Sequence, residues 1–440
     1  MQTKISTSFE QIRGDYWVVP ALMIIGSIIL SIVTYHIDRT IQIDLLQSIS
    51  WLGVNDPEAA RSYLSVISGS MISTTGVTFS ITIAALVQAS SQLGPRLLSN
   101  FLRDRGNQIV LGTLLATFTF CIFILKSISN TAEFVFIPHL SIAIATIFTI
   151  LSIGALVFFF HHVSTSLQAN YVISQVGAEL QQAIRKIYPE KMEYPQEYNL
   201  INPEDIPKII PEESYRIKST EGGYLQAIDS KTLIEIAEEN DCIMITELRP
   251  GEYTSEENTL VSIYPMSDKI EELKDKINNA FILGEERLRL QDIKYSIEQL
   301  VEIAIRALSA GINDPYTAIA CIDQLTSGTI ELFKRSITEG YYYDSGGKLR
   351  LVTKSLTFTD LIEIMYTEIR RNSSTNVTIN IKLLESIASI IPHARTKDQR
   401  NVLKKQADIL LQNSMTSIKE PYDLEEIQMV YKITIQELSA

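Results

Sequence analysis

The sequence predicts an α-helical membrane protein with four transmembrane helices and a cytosolic part made of a small α/β module and a helical bundle. Three observations support this fold class. Four long segments without a charged residue occupy the first part of the chain, five prolines fall within residues 189–211, and helical periodicity dominates after residue 267. The pattern divides the chain into a four-span membrane domain (1–165), an exit helix with a proline-rich linker (166–213), the α/β module (214–266) and the helical domain (267–440).

Four segments in the first 180 residues are long enough to cross a membrane. Residues 16–37, 62–95, 106–125 and 134–178 contain no Asp, Glu, Lys or Arg. About 20 mostly apolar residues in a helix cross a hydrocarbon core of about 30 Å, where lipid offers no partner to an unpaired backbone amide. Each segment is therefore predicted to be a transmembrane helix. The first is expected to remain in the protein, because no small-x-small cleavage site follows it.

The distribution of charge predicts the topology. Residues 1–165 contain 8 basic and 8 acidic residues, so the remaining 275 residues account for the whole net charge of −13. The loop after the second span contains Arg96, Arg103 and Arg105, which places it, the N-terminus and the large C-terminal part in the cytosol. These arginines would contact lipid headgroups or, at a pore mouth, attract anions. The acidic C-terminal part argues against a nucleic-acid partner, because phosphate binding requires a basic face.

The segments after the fourth span are predicted to form a helix, the α/β module and the bundle. Residues 163–187 form a helix leaving the membrane, because their apolar residues share one side. The strands of the module are predicted at residues 224–228, 242–248 and 259–264. Its helix, at 231–238, is capped by Asp229. The last helices of the bundle are predicted at residues 358–371, 378–391, 398–413 and 421–438.

The second span carries a stripe of small residues that we call the small-residue stripe. Its members are Ser65, Gly69, Ser73, Gly76 and Ser80, continued by Ser62 and Ala84. Spacings of three and four place them on one helical face. Such a face permits close packing between helices, or it lines a water-filled path in which hydroxyls replace part of the hydration shell of an ion. None of the spans contains an Asp, Glu, Lys or Arg, which argues against a proton relay.

A helical joint provides a second candidate site. A helix is predicted to end near Gly311, and the next is predicted to begin at Pro315 with Asp314 as its N-cap. Arg306, Asn313 and Asp314 would form a polar cluster there. In one interpretation the cap and an Arg306–Asp314 ion pair fix the turn; in the other the cluster binds an ion or a small ligand.

Other reactive residues do not form a recognised site. Cys121, Cys242 and Cys321 are far apart in sequence and form no CxxC pair, so neither a zinc site nor a disulfide framework is indicated. His161 and His162 are interpreted as anchors at the membrane interface, although a histidine can also bind metal or sense pH. We expect no metal, no cofactor and no catalytic residue, and therefore no enzymatic activity.

Several motifs resemble those of a bacterial family of predicted membrane proteins catalogued as a domain of unknown function. Residues 301–318 read VEIAIRALSAGINDPYTA, similar to the family signature, although Ala310-Gly311 stands where a proline is expected. Residues 93–101 (LGPRLLSNF), Arg103-Asp104-Arg105, His161-His162 and residues 223–229 (GYLQAID) also resemble it. The resemblance spans nearly the whole chain. It implies an integral membrane protein of unestablished activity, here of a bacterial inner membrane, and assigns no catalytic residue.

Two functions remain open from the sequence. The first is an oligomeric ion channel or channel-like transport protein, in which the second span lines the path and the cytosolic part assembles and gates it. Four spans are few for a single-chain transporter, so we expect a homo-oligomer in the lipid bilayer. The second is a membrane-anchored regulatory or scaffold protein whose cytosolic domain binds a partner or a small ligand.

Overall fold

A computed structural model describes residues 16–40, 56–94, 104–131, 134–188, 214–265, 269–288, 291–335 and 340–439. The chain divides into two compact units, Met1–Tyr171 and Val172–Ala440, and each is described by itself below. The predicted proline-rich linker, residues 189–213, lies outside the described residues.

Four long helices form the first unit. They are α1 (Val18–Thr40), α2 (Pro57–Leu93), α3 (Arg105–Ser127) and α4 (His139–Ser166). All four are long and apolar enough to span a membrane, which confirms the four predicted spans. Helix α2 begins before its charge-free segment, because Asp56 accepts a hydrogen bond from the Ala59 amide at 3.0 Å and Pro57 occupies the first turn.

Helix α3 lies at the centre of this unit and packs against the other three helices. The core includes Leu64, Met71, Leu114 and Phe120. Gly112 allows the close approach of α1, because a Cβ at this position would collide with the sulfur of Met23. The interior also contains a polar contact, in which the hydroxyls of Thr117 on α3 and Ser152 on α4 lie 2.9 Å apart.

A short hairpin precedes the fourth helix and was not predicted. Strand β1 (Ser129–Thr131) pairs antiparallel with β2 (Phe134–Phe136). The fourth helix therefore starts at His139, with Pro138 as its N-cap residue. The free amides at its start are satisfied from another helix: the Asp38 carboxylate accepts from the Leu140 amide at 2.8 Å and from the Ser141 amide at 3.0 Å.

The predicted exit helix is interrupted. Helix α4 ends at Ser166, and α5 (Ala169–Ile187) begins three residues later. The predicted apolar side of α5 is buried within the second unit: Ile173, Val176, Leu180 and Ile184 are each at most 1% exposed. Helix α5 is also held to the bundle by charge, because Glu331 accepts hydrogen bonds from Arg185 at 3.0 Å and from Arg335 at 3.1 Å.

Two sheets form the α/β part of the second unit. Residues 214–265 contain strands β3 (Tyr215–Lys218), β4 (Gly223–Ile228), β5 (Ile243–Thr246), β6 (Tyr253–Thr254) and β7 (Thr259–Tyr264). Helix α6 (Ser230–Glu239) follows β4. Asp229 caps α6 by accepting from the Thr232 amide at 3.4 Å, as predicted. Short helices α7 (Lys269–Glu272) and α8 (Lys274–Asn278) follow, and then strand β8 (Phe281–Gly284).

The sheets extend beyond the predicted module boundary at residue 266. Strands β9 (Tyr341–Tyr343) and β10 (Leu349–Val352) complete a five-stranded sheet in the order β3-β7-β5-β10-β9, and β8 completes a three-stranded sheet in the order β6-β4-β8. The predicted helical domain at residues 267–440 therefore also contributes strands to both sheets. Strand β10 runs parallel to β5 and buries Leu349 and Leu351, so it covers an edge that would otherwise be unpaired.

The remaining helices form the bundle. They are α9 (Ile293–Ala307), α10 (Pro315–Phe333), α11 (Phe358–Asn372), α12 (Val377–Ile390), α13 (Lys397–Ser417) and α14 (Pro421–Ser439). The last four match the predicted segments to within a few residues. Helix α9 packs against α10 and α11, and α12 packs against α10 and α14.

Candidate functional site

The small-residue stripe faces away from the helices of its own protomer. Ser65, Gly69, Ser73, Gly76 and Ser80 are all exposed. A Cβ built on Gly69 or on Gly76 would meet no atom within 4 Å. These glycines therefore do not provide a close helix contact inside the protomer, and the stripe is not an intramolecular packing seam.

The opposite face of α2 makes the contacts within the protomer. Leu64, Met71 and Thr78 are buried at intervals of seven residues, and this face lies about half a helical turn from the stripe. Thr75 and Thr82 are also buried there, and each hydroxyl bonds to a carbonyl one turn earlier on α2. Three threonines of α2 therefore belong to its packed face and not to the exposed stripe.

The polar groups of the stripe are satisfied by the helix itself. The Ser73 hydroxyl donates to the Gly69 carbonyl at 2.9 Å, and the Ser80 hydroxyl donates to the Gly76 carbonyl at 2.9 Å. Each hydroxyl oxygen retains acceptor capacity. Exposed apolar side chains flank the stripe, among them Val66, Ile72, Val77, Phe79 and Ile83. The face thus combines a narrow polar centre with apolar borders.

The predicted joint cluster is assembled differently from the prediction. Asp314 caps α10, as expected, by accepting from the Tyr316 and Thr317 amides at 3.1 Å each and from the Thr317 hydroxyl at 2.6 Å. The hydroxyl bond lowers the pKa of the Asp314 carboxyl, and the two amide bonds lower it further. The predicted Arg306–Asp314 ion pair is wrong. Arg306 instead pairs with Glu302, one turn earlier on α9, at 3.4 Å.

The turn between α9 and α10 depends on Asn313. This residue has φ of 49°, in the left-handed region that Asn tolerates better than most residues. Gly311 was the residue expected near the end of α9, but α9 ends at Ala307 and Gly311 has no unusual backbone angle. Two large side chains project from this joint into solvent, because Ile312 is 46% exposed and Tyr316 is 79% exposed.

Of the three predicted basic residues, the structure describes Arg105. Arg96 and Arg103 lie outside the described residues, and Arg105 is the exposed first residue of α3. Beside it, Asp104 accepts from the Gly106 amide at 2.7 Å and contacts Nε2 of His162 at 2.7 Å. The histidine ring also stacks on Phe158, with 5.2 Å between centroids.

The contact between Asp104 and His162 was missed from the sequence. His162 thus has a carboxylate partner, and the interpretation of both histidines as anchors at the membrane interface stays a prediction. The sequence did offer a signal for this contact, because the predicted topology places Asp104 and His162 at the same membrane surface. Within the described residues no three His, Cys, Asp or Glu side chains are grouped to hold a metal ion, and the absence of a metal remains a prediction.

Comparison with known proteins places the chain in a family. A family model described as "Predicted membrane protein (DUF2254)" matches residues 13–389. The chain belongs to this family. The match confirms the resemblance inferred from the motifs, and with the four apolar helices it identifies a multi-pass membrane protein.

Two relatives of this DUF2254 member are named as uncharacterised proteins. An uncharacterised protein of Mycobacterium tuberculosis (strain H37Rv) is 26% identical over 427 residues, covering 94% of this chain and 79% of the relative. An uncharacterised protein of Mycobacterium bovis is similar to the same extent. No solved structure matches the chain.

Proposed function

We propose that this protein is a homo-oligomeric ion channel or channel-like transport protein of the bacterial inner membrane. In this proposal the small-residue stripe of each protomer faces the symmetry axis and lines the path. The N-terminus and the second unit lie in the cytosol, where the second unit assembles and gates the pore, and the protein has no enzymatic activity.

The outward position of the stripe carries the proposal. A helix face that met only lipid would gain most from large apolar side chains, because dispersion contacts with lipid replace the contacts of a packed core. Ser65, Gly69, Ser73, Gly76 and Ser80 instead form a narrow face of small and polar residues that exposed apolar side chains border. Such a face suits either a neighbouring copy of α2 or water.

The chemistry of the stripe favours water and ions over packing alone. The hydroxyls of Ser73 and Ser80 lie on this exposed face, with their donors satisfied by the helix backbone and their oxygens able to accept further bonds. An oxygen-lined face of this kind can replace part of the hydration shell of a cation. The charge-free segment of this span, residues 62–95, contains no Asp, Glu, Lys or Arg, which favours passive conduction over proton-coupled transport.

Ion flux from liposomes containing the purified protein tests this proposal. Gly76→Leu places a four-carbon side chain on the stripe and is expected to abolish flux. The matched control is Gly154→Leu on α4, because Gly154 also has nothing within 4 Å of its Cβ position. Both changes improve helix propensity by about 1 kcal/mol, so neither should prevent folding. Equal flux in the two folded variants would contradict the proposal.

A membrane-anchored scaffold or regulatory role is the second candidate, and it is favoured by the exposed joint. Residues 301–318, which resemble a family signature and lie within the family match, expose Ile312 and Tyr316. Exposed aromatic residues are frequent anchors of protein interfaces. This role predicts that Tyr316→Ala removes a partner cross-linked to the full-length protein in cells, while liposomes show no flux with either the wild-type protein or the variant.

A further inference from the structure

A groove runs between α1 and α3 at the ends where both helices finish. It has a volume of about 200 Å³. Ser31, Ile32 and Tyr35 line it from α1, and Phe123, Ile124 and Lys126 line it from α3. Both helices are candidate membrane spans, so the groove opens on the surface that faces lipid.

The walls of the groove are apolar in practice. The hydroxyl of Ser31 donates to the Ile28 carbonyl at 2.7 Å, and the hydroxyl of Ser127 donates to the Ile124 carbonyl at 2.7 Å. Their donors are therefore already used by their own helices. An apolar cavity of about 150 Å³ can hold a benzene molecule, so a groove of this size can hold several methylene groups. An acyl chain is the apolar group that a membrane supplies.

Two cations are located where the groove ends. Lys126 lines the groove and is exposed. Arg39 lies four residues after Tyr35 on the same face of α1 and is also exposed. Neither forms an ion pair with any residue that the structure describes. The neighbouring acid, Asp38, is directed to α4, where it accepts two amide bonds and a hydroxyl bond from Ser141 at 2.7 Å.

An aromatic ring fixes the boundary between the apolar walls and the charged end. Tyr35 stands edge-on to Phe136 on β2, with 5.7 Å between ring centroids and an angle of 83°. Such a pair holds the ring in one orientation. Tyrosine prefers the level of the lipid headgroups, because its ring is apolar and its hydroxyl is polar. The order along the groove is therefore apolar wall, tyrosine and cations, which is the order of an acyl chain, a glycerol backbone and a phosphate.

We propose that this groove binds an anionic phospholipid, with one acyl chain between α1 and α3 and the phosphate on Lys126 and Arg39. Basic pockets between transmembrane helices bind anionic headgroups in this way. The site does not depend on whether the protein conducts ions, because it lies on α1 and α3 and not on the small-residue stripe.

Native mass spectrometry of the full-length protein tests the site. Phosphatidylglycerol and phosphatidylcholine with identical acyl chains are the two probes, and phosphatidylglycerol is expected to be retained preferentially. Each cation near an anionic headgroup contributes enough to change binding about fivefold. Lys126→Ala should therefore lower phosphatidylglycerol retention about fivefold, whereas Lys126→Arg should preserve it. Lys231→Ala, which removes an exposed charge from α6 in the second unit, is the control and should have no effect.

Three results would overturn the proposal. Equal retention of both lipids by the wild-type protein would show that no headgroup is recognised. Displacement of phosphatidylglycerol by inorganic phosphate would indicate a site for a free anion. Undiminished retention in Ile32→Trp, which fills the groove, would show that the acyl chain lies elsewhere. All these variants alter exposed side chains, so folding is expected to be preserved.

Discussion

The joint between α9 and α10 allows a quantitative test of whether Asp314 is a structural cap. Its carboxylate accepts three hydrogen bonds, from the Tyr316 amide, the Thr317 amide and the Thr317 hydroxyl. The change to test is Asp314→Ala, which removes all three acceptor contacts. If Asp314 serves only as a cap, the damage should be confined to the first turn of α10.

The size of the effect follows from the cost of an N-cap. Replacing a capping Asp by Ala costs about 1 kcal/mol, within a range of about 0.5–2 kcal/mol. A cost of about 1 kcal/mol corresponds to about a fivefold change in a local opening equilibrium. The Tyr316 and Thr317 amides should therefore exchange their hydrogens about fivefold faster in Asp314→Ala. Asp314→Asn should stay close to the wild type, because Asn caps nearly as well as Asp.

Hydrogen exchange measured by mass spectrometry on the full-length protein gives this number. Peptides covering the start of α10 report the change, and peptides from α13, which has its own capping box at Thr396, serve as the internal reference. Unchanged exchange at α10 in Asp314→Ala would refute the capping argument. Fast exchange in Asp314→Asn equal to that in Asp314→Ala would also refute it, because charge rather than capping would then be required.

Three further predictions concern the pH dependence of the Asp314 cap, the close contact at Gly112 and the ion pairs of Arg350. The pKa of the Asp314 carboxyl is lower in the folded protein than its ordinary value of about 3.9. Its contribution to stability should therefore be complete above about pH 3.9 and be lost as the pH falls through the lower folded pKa. Hydrogen exchange at the start of α10, measured as a function of pH, tests this loss. Gly112→Leu should destabilise the first unit by about 1–3 kcal/mol, because a Cβ at this position collides with Met23 on α1. Gly26→Leu should not destabilise it, because a Cβ at position 26 has no atom within 4 Å. Thermal unfolding in detergent distinguishes the two variants. Arg350→Ala should lower the denaturation midpoint, because it removes the partner of Asp344 at 2.7 Å and of Asp241 at 2.8 Å, and equal midpoints for variant and wild type would contradict this.

The local parts of the fold can be predicted from the sequence because they depend on near neighbours. Charge-free length identifies the four spans, and apolar spacing identifies the bundle helices. The sequence Asn313-Asp314-Pro315 predicts a helix start. The Asp314 carboxylate can accept hydrogen bonds from the free amides of the first turn, and Pro315 has no backbone N–H that would need a partner there. One interpretation of the sequence paired Arg306 with Asp314. Glu302 lies one helical turn earlier on α9 and is closer than Asp314 across the joint, so Arg306 pairs with Glu302 instead.

The rest depends on contacts between distant residues. Strand β10 joins β5 across about a hundred residues of sequence, and no local pattern shows which strand will cover that edge. The contact between Asp104 and His162 forms across two spans for the same reason. The small-residue stripe was found from its spacing, but only the packed structure shows that it faces outward, because spacing defines a face and not what it contacts.

Labelling of a cysteine placed on the small-residue stripe tests the central claim most directly. The three native cysteines are buried, so a single added thiol can be followed. Ser73→Cys on the stripe is compared with Leu151→Cys, an exposed position on α4. A membrane-impermeant thiol reagent needs a thiolate, which forms in water and not in lipid. The account predicts that Ser73→Cys is labelled and loses flux, while Leu151→Cys is unlabelled and keeps it. Failure to label Ser73→Cys in a protein that still conducts would contradict it.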